Sequence, residues 1–246
     1  MEIIDAYWEI ENLGKRTAEI NIEPKDSIEK VKEDLKRTQD EYEYIVIKVP
    51  ILNLEINKLL SEMGFYFVET QMSLLRDLQQ KFSNQKMIDF SEKRVRAEKI
   101  NSVEQMYEEI FESFDSNMFV TDRIYLDKNF KKGSCEKRYK NWMLSTFEEN
   151  ELYKLVCFEN IVGFFYGSFK DNCYYGLLGG IFSNYKNLGL GFSIIQKPLF
   201  EAKRRKKRWF RTKISSNNKN VLDIYQGFDF KVESIKYIFV EYKKWG

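Results

Sequence analysis

The 246-residue sequence contains no histidine, which removes a Ser-His-Asp triad, a histidine general base and a histidine-ligated metal from consideration. Its three cysteines, Cys135, Cys157 and Cys173, are widely spaced and form no CxxC pair. That excludes a disulfide framework and a thiolate metal site, and predicts three reduced thiols in a cytoplasmic protein without a metal. Three prolines and twelve glycines are too few for a collagen-like or low-complexity chain. No apolar run approaches the roughly 18 residues of a membrane span, and the first ten residues lack the basic-then-apolar pattern of an export signal. With 40 basic and 38 acidic residues the formal charge is +2, so no whole-molecule attraction to nucleic acid or membrane is expected.

What is present is a globular composition, 43% hydrophobic and 32% charged. At roughly 150 residues per domain the length suits one to two domains. The polar, aperiodic stretch at 77–89 (DLQQKFSNQKMID) marks the expected boundary, giving a smaller α/β unit at 1–85 and a larger one at 86–246. In the first unit the spacing predicts a charged helix over 27–40, a β-branched strand at 44–49 stopped by Pro50, a helix at 52–63 ended by Gly64, and a strand at 65–72. In the second it predicts a strand near 93–100, a helix carrying Val103, Met106, Tyr107, Ile110 and Phe111, and a helix carrying Tyr139, Trp142 and Met143. Three strands follow at 152–157, 161–169 and 173–182, an antiparallel meander by their short turns, then a helix from Gly191, a strand at 209–214, a helix to Gln226 and a strand at 231–242. The phrases Gly64-Phe65-Tyr66-Phe67-Val68-Glu69 and Gly227-Phe228-Asp229-Phe230-Lys231-Val232-Glu233 echo each other after a helix. The common αβ unit explains this; so does a first unit that is a shrunken relative of the second.

Ile181 to Gly191 reads IFSNYKNLGLG: a strand ends, a short loop follows, and two glycines open a helix. Glycines let the backbone approach an anion, and the unsatisfied N–H groups of a helix start point at it. The loop is a diphosphate cradle by this reading. It is not a P-loop, because GxxxxGK[ST] is absent. Nor is it a Rossmann fingerprint, since the third glycine position is Ile194 and the region about 20 residues on is basic.

Lys186-Asn187-Leu188-Gly189-Leu190-Gly191 resembles the [QR]xxGx[GA] motif of the GNAT superfamily of acyl-CoA-dependent N-acyltransferases, with lysine at the glutamine or arginine position. Ile181-Phe182-Ser183-Asn184-Tyr185 resembles the family's approach to that loop. Asn218, Val221, Ile224 and Tyr225 stand in its N-x-x-A-x-x-L-Y register, with Phe230 at its GF phenylalanine, although Gly227-Phe228 arrives two residues early and Asp229 takes the glycine position. The resemblance covers about residues 90–246. It implies a mixed α/β (α+β) fold with a mainly antiparallel sheet flanked by helices, and acetyl-CoA as acyl donor. It also implies a donor site at Ile181, Phe182, Ser183, Lys186, Asn187, Leu188, Gly189, Leu190, Gly191 and Asn218. The two-part layout is similar to the dTDP-fucosamine acetyltransferase type, which implies a small-molecule amine acceptor on a nucleotide-linked sugar.

For amide formation a neutral amine attacks the thioester, an oxyanion develops and a thiolate leaves. Backbone N–H groups freed where residues 177–182 bend away, eased by Gly179-Gly180, suit the oxyanion. The Tyr225 phenol, with an ordinary pKa of about 10, suits the general acid; its helix spacing equally suits a core aromatic. Asn218 is a donor contact or a helix N-cap, and Arg123 an acceptor-binding cation or a surface ion pair. Glu69, Asp122, Glu148 and Glu149 are available carboxylates that nothing ranks as a base. The run Lys203-Arg204-Arg205-Lys206-Lys207-Arg208, followed by Trp209, Phe210 and Arg211, carries the rival reading of a binding module for nucleic acid or an acidic partner. Its place at a helix C-terminus, where cations complement the dipole, argues for a milder role. A homodimer is left open.

Overall fold

The segment Tyr44–Pro50 (YIVIKVP) buries Ile45, Ile47 and Val49 on one side and Tyr44 and Val46 on the other. A strand apolar on both faces has to sit inside a sheet covered on both sides. In the computed structural model, which describes residues 1–83 and 94–243, it is the third strand of a ten-stranded sheet. The first half runs β1 (Glu2–Asp5), α1 (Trp8–Leu13), β2 (Thr17–Asn21), α2 (Ile28–Glu41), β3 (Tyr44–Pro50), α3 (Leu54–Glu62) and β4 (Tyr66–Asp77). Then come β5 (Val95–Ile100), α4 (Val103–Glu109), α5 (Arg123–Leu126), α6 (Ser134–Ser145), β6 (Glu151–Cys157), β7 (Asn160–Lys170) and β8 (Cys173–Ile181). The chain ends with α7 (Ser193–Arg204), β9 (Trp209–Ser215), α8 (Lys219–Gly227) and β10 (Lys231–Tyr242).

The strand order is β1-β2-β3-β10-β4-β9-β8-β7-β6-β5. The pairs β2/β3 and β8/β9 are parallel and the other pairings antiparallel. The expected mixed, mainly antiparallel sheet flanked by helices is therefore present, and β6–β7–β8 form the expected meander. The final strand lies in the centre: Ile238, Phe239 and Val240 are buried where β10 pairs with β3 on one side and β4 on the other. Strands from both sides of the expected division at 85/86 thus share one sheet, while the division itself, residues 84–89 of the polar stretch and residue 93 lie outside the described residues. The elements β1, α1 and β2, too short to leave a clear period, were not evident from the sequence.

Ser27 caps α2 by accepting from the Lys30 N–H, Asn53 caps α3 and Ser102 caps α4. Val31 and Leu35 of α2 with Ile56 and Leu60 of α3 cover Ile45, Ile47 and Phe239. On the opposite face Met106, Phe111 and Met143 pack on Val46, Phe164, Tyr166 and Val240. A third cluster joins Ile195, Leu199 and Ala202 of α7 to Leu155, Phe165 and Phe210. All three cysteines are free thiols. Among the described residues no helix is long and apolar enough to cross a membrane.

Candidate active site

The parallel ladder between β8 and β9 runs from Cys173↔Trp209 to Gly176↔Thr212 and stops, although β8 continues to Ile181 and β9 to Ser215. On its other edge β8 changes register against β7, from Tyr166↔Leu178 to Gly167↔Gly176, which leaves Leu177 as an extra residue. A bulge of this kind bends the strand. The main-chain groups of Leu177 to Ile181 that face β9 are left without a strand partner there. The bend falls at Leu177, within the span 177–182, and the tight contact beside it is at Gly167. At Gly167 a Cβ would lie 2.4 Å from the Tyr174 hydroxyl and 2.5 Å from the Tyr175 carbonyl, so the bulge needs glycine there. Gly179 and Gly180 instead admit close neighbours, the Phe164 carbonyl at 3.3 Å and Met118 Cε at 3.2 Å from the Cβ positions.

A cleft of about 640 Å³ opens where the strands part. Of the residues expected to bind the donor, Ile181, Lys186, Asn187, Gly189, Leu190, Gly191 and Asn218 line it, as does Tyr225. The loop at its mouth turns through left-handed residues, Asn187 (φ 64°) and Gly189 (φ 74°), which asparagine and glycine tolerate best. Gly189 leads into a single 3₁₀ turn, Leu190–Phe192, and then α7. The N–H groups of Asn187, Leu188 and Gly189 find no backbone acceptor among the described residues. Lys186 is occupied: its ammonium donates to the Asn117 carbonyl at 2.6 Å, tying the loop to the 3₁₀ turn Ser116–Phe119. Phe182, Ser183 and Leu188 lie outside the cleft. Phe182 is buried against Phe164 and its N–H donates to Val162, Ser183 donates to Asp115, and Leu188 faces solvent.

Tyr225, on α8, sets its ring edge-on to Phe230 at 4.9 Å, in the cleft wall. Burial pushes its phenol above the ordinary value, offset in part by the Thr212 side chain. Thr212 is the residue at which the β8–β9 ladder ends, and its hydroxyl donates to the Gly176 carbonyl. Asp229, which takes the glycine position of the resembled motif, is left-handed (φ 60°), whereas Gly227 closes α8. Asn218 sits at the N-cap of α8 but makes no capping hydrogen bond with its side chain.

Arg123 does not line the cleft. Its guanidinium is largely buried between Glu19 and Glu69, 3.8 Å from each. The carboxylates separate clearly. Glu148 and Glu149 border a different depression, with Ser102 and Phe147. Asp122 lines the cleft yet works as the N-cap of α5 and accepts from the Tyr139 hydroxyl; although burial alone would raise its pKa, Arg123 and Tyr139 hold it below the ordinary range. Glu69 is buried, its pKa is raised by that burial, and it accepts a hydrogen bond from Ser215. Thr212, Lys213 and Ser215 of β9 border the site and escaped sequence reasoning, where strand alternation was their only signal.

The basic run is mostly engaged within the chain. Lys203 lies over the Phe82 ring, Arg204 and Arg205 pair with Glu201, and Arg205 also forks onto Glu151. Lys207 donates to the Asp171 carbonyl, Arg208 stacks on Trp209, and Arg211 pairs with Glu233. Burial opposes ionisation of Glu151, but hydrogen bonds from Arg205, Tyr153 and Lys99 outweigh it and hold its pKa at about 2. A depressed carboxylate stabilises the fold above its unfolded pKa of about 4.3 and loses that contribution as pH falls toward the folded value. Glu151→Gln should therefore lower the melting temperature at pH 6 and flatten its dependence between about pH 4 and 2, measured by circular dichroism.

No protein-family model matches the sequence, and no curated protein sequence matches it. Solved structures do. A GCN5-related N-acetyltransferase from Sphaerobacter thermophilus aligns with a TM-score of 0.66 at 12% identity, over 94% of this chain and 74% of the other. A GCN5-related N-acetyltransferase from Kribbella flavida aligns with a TM-score of 0.53 at 12% identity, over 93% and 82%. The tandem GNAT protein of the clavulanic acid biosynthesis pathway aligns with a TM-score of 0.53 at 9% identity, over 95% and 77%. At such identities the likeness speaks for architecture: the chain has the fold of the GCN5-related N-acetyltransferases.

Proposed function

We propose that the chain is an acetyl-CoA-dependent N-acetyltransferase that transfers the acetyl group to a primary amine by direct attack in a ternary complex. The observation that carries this reading is the opening of the β8–β9 ladder at Gly176/Thr212, with a left-handed glycine loop at its mouth and Tyr225 in its wall. The residues suit the donor. Loop N–H groups without backbone partners offer donors to a diphosphate, and the splayed strand edges offer main-chain partners to an extended amide-containing arm. Asn218, free of capping, can hold that arm. Unpaired N–H groups of β8 beyond the bulge can stabilise the oxyanion, and Tyr225 can protonate the leaving thiolate.

The acceptor we favour is the amine of a nucleotide-linked sugar. Besides the sequence resemblance, this draws support from Lys213, which lines the cleft: its pKa is depressed by burial and by the charges of Lys48 and Lys236. Lys48 is paired with Glu19, so the surplus positive potential falls toward Lys213 and Lys236 and suits an acceptor carrying phosphate. We also read residues 1–85 as a degenerate half of the same kind. In the central order β3-β10-β4-β9 the last strand of each half, β4 or β10, lies between two strands of the other half, and the penultimate strand of each half, β3 or β9, has a parallel neighbour; β2 and β3 stay paired from Thr17↔Tyr44 to Asn21↔Lys48.

Isothermal titration with CoA tests the donor site. A Cβ at Gly191 meets only Ile224 Cδ1, at an ordinary 3.4 Å, so Gly191→Glu should fold. Its carboxylate beside the diphosphate should weaken CoA binding by about tenfold or more. No binding to the native chain at millimolar CoA, or equal affinity in the variant, counts against the site. A thiol-release screen of amines that includes dTDP- and UDP-linked amino sugars identifies the acceptor.

A further inference from the structure

The two walls of the cleft present different faces of the sheet. Side chains alternate along β9: Phe210 and Ile214 enter the core that contains α7 and α8, on the side where Thr212 meets Tyr225, so Lys213 and Ser215 point to the opposite face. On that face Ser215 borders the cleft and donates its hydroxyl to Glu69, a residue of β4 only 4% exposed. The Ser215 oxygen also accepts from the Asn217 N–H at 3.1 Å. A hydroxyl has one donor and two acceptor sites, so one lone pair is left for a proton from the cleft. The second carboxylate oxygen of Glu69 lies 3.8 Å from an Arg123 nitrogen, close enough to attract but too far to hydrogen-bond. We infer that Ser215, backed by Glu69, takes the proton shed by the acceptor amine, from the face of the sheet opposite Tyr225.

The inference rests on the acyl-transfer reading. As the amine nitrogen bonds to the thioester carbon, its proton passes to the Ser215 oxygen while the Ser215 proton passes to the Glu69 carboxylate. When the C–S bond breaks, the thiolate takes the Tyr225 proton, and both side chains then re-equilibrate with solvent. The groups facing Glu69 are Ser215 from β9, Arg123 of α5 with its neighbour Asp122, and Glu19 of β2 through the shared Arg123; Ile238 of β10, opposite it in register, is apolar. Burial dominates, so the carboxyl ionises above the ordinary glutamate range. A base works only when ionised, which places its titration on the acid limb of the rate profile.

The test measures CoA binding, kcat and KM for the best amine of the screen across pH, in native protein, Glu69→Gln, Ser215→Ala and Ser215→Thr. Glu69→Gln and Ser215→Ala should each lose about 10²-fold in kcat with CoA binding intact, and the native acid limb should vanish in Glu69→Gln. Ser215→Thr should restore turnover. Infrared difference spectroscopy should show a carboxyl band titrating above the ordinary glutamate range, absent from Glu69→Gln and shifted in Ser215→Ala, whether or not an amine is turned over. Intact CoA binding with the acid limb surviving in Glu69→Gln, or the lack of that band, overturns the relay alone. A native chain that does not bind CoA overturns acyl transfer and the relay with it.

Discussion

Tyr225→Phe should lower kcat by about 10²- to 10³-fold while CoA affinity stays close to native, because in the proposed reaction the phenol gives one proton and takes no part in binding. The ring contact with Phe230 survives the substitution, and Thr212 keeps its bond to the Gly176 carbonyl. The stability cost is then that of one hydroxyl, about 1 kcal/mol. Burial raises the phenol, so it stays protonated throughout the neutral range and can act as a donor. The same rise makes transfer to a thiolate, with an ordinary thiol pKa of about 8.5, uphill unless the thiolate is desolvated in the same cleft. Native turnover should therefore fall as pH passes the phenol's raised value, and this limb should be missing in the variant. Full turnover by Tyr225→Phe at saturating substrates removes the acid role and leaves Tyr225 as a core aromatic.

Gly167→Ala should strongly damage the scaffold of the cleft. The added Cβ meets the Tyr174 ring and the Tyr175 carbonyl inside van der Waals distance. Tyr174 cannot swing aside, since it is buried between Phe169 and Phe210, each 4.6 Å away by ring centroid. Relief requires the β7–β8 pairing to shift, which moves the bulge at Leu177. The cost should be about 3 kcal/mol, a fall in melting temperature of about 6–12 °C for a chain of this size. Gly133→Ala is the control. Gly133 is also special, with φ 91°, but nothing lies within 4 Å of its Cβ position, so only the left-handed penalty of about 1–2 kcal/mol applies. A Gly167→Ala protein as stable as native, measured by scanning calorimetry, would falsify the steric origin of the bulge.

Legibility from the sequence follows the range of the interactions involved. The meander, the helix after Gly191 and the strand ending in Tyr242 were readable because period, caps and turns are local. That the chain turns before α7 was readable too, since the left-handed angle at Gly189 is written in residue type. The role of Lys186 was not, because its partner is the carbonyl of Asn117, 69 residues earlier. Nor could four carboxylates be ranked. Asp122 and Glu69 differ in what surrounds them: a helix cap, Arg123 and Tyr139 keep the first ionised, whereas burial raises the second. Asp229, at the position where the resembled motif has glycine, adopts a glycine-like angle and accepts from the Ser83 N–H with its carboxylate, a partner 146 residues away.

The sequence by itself determined the types and order of the elements from α2 onward that carry a clear period or cap, and the turn at Gly189, since propensity, capping and backbone freedom act over a few residues. Only the tertiary structure decided that the last strand lies between β3 and β4, that β8 leaves β9 after four paired residues, and that Tyr225 and Ser215 stand on opposite faces of one opening. Those outcomes depend on strand register and on the shape of buried side chains such as Tyr174, which bring together residues far apart in the chain and leave no local trace.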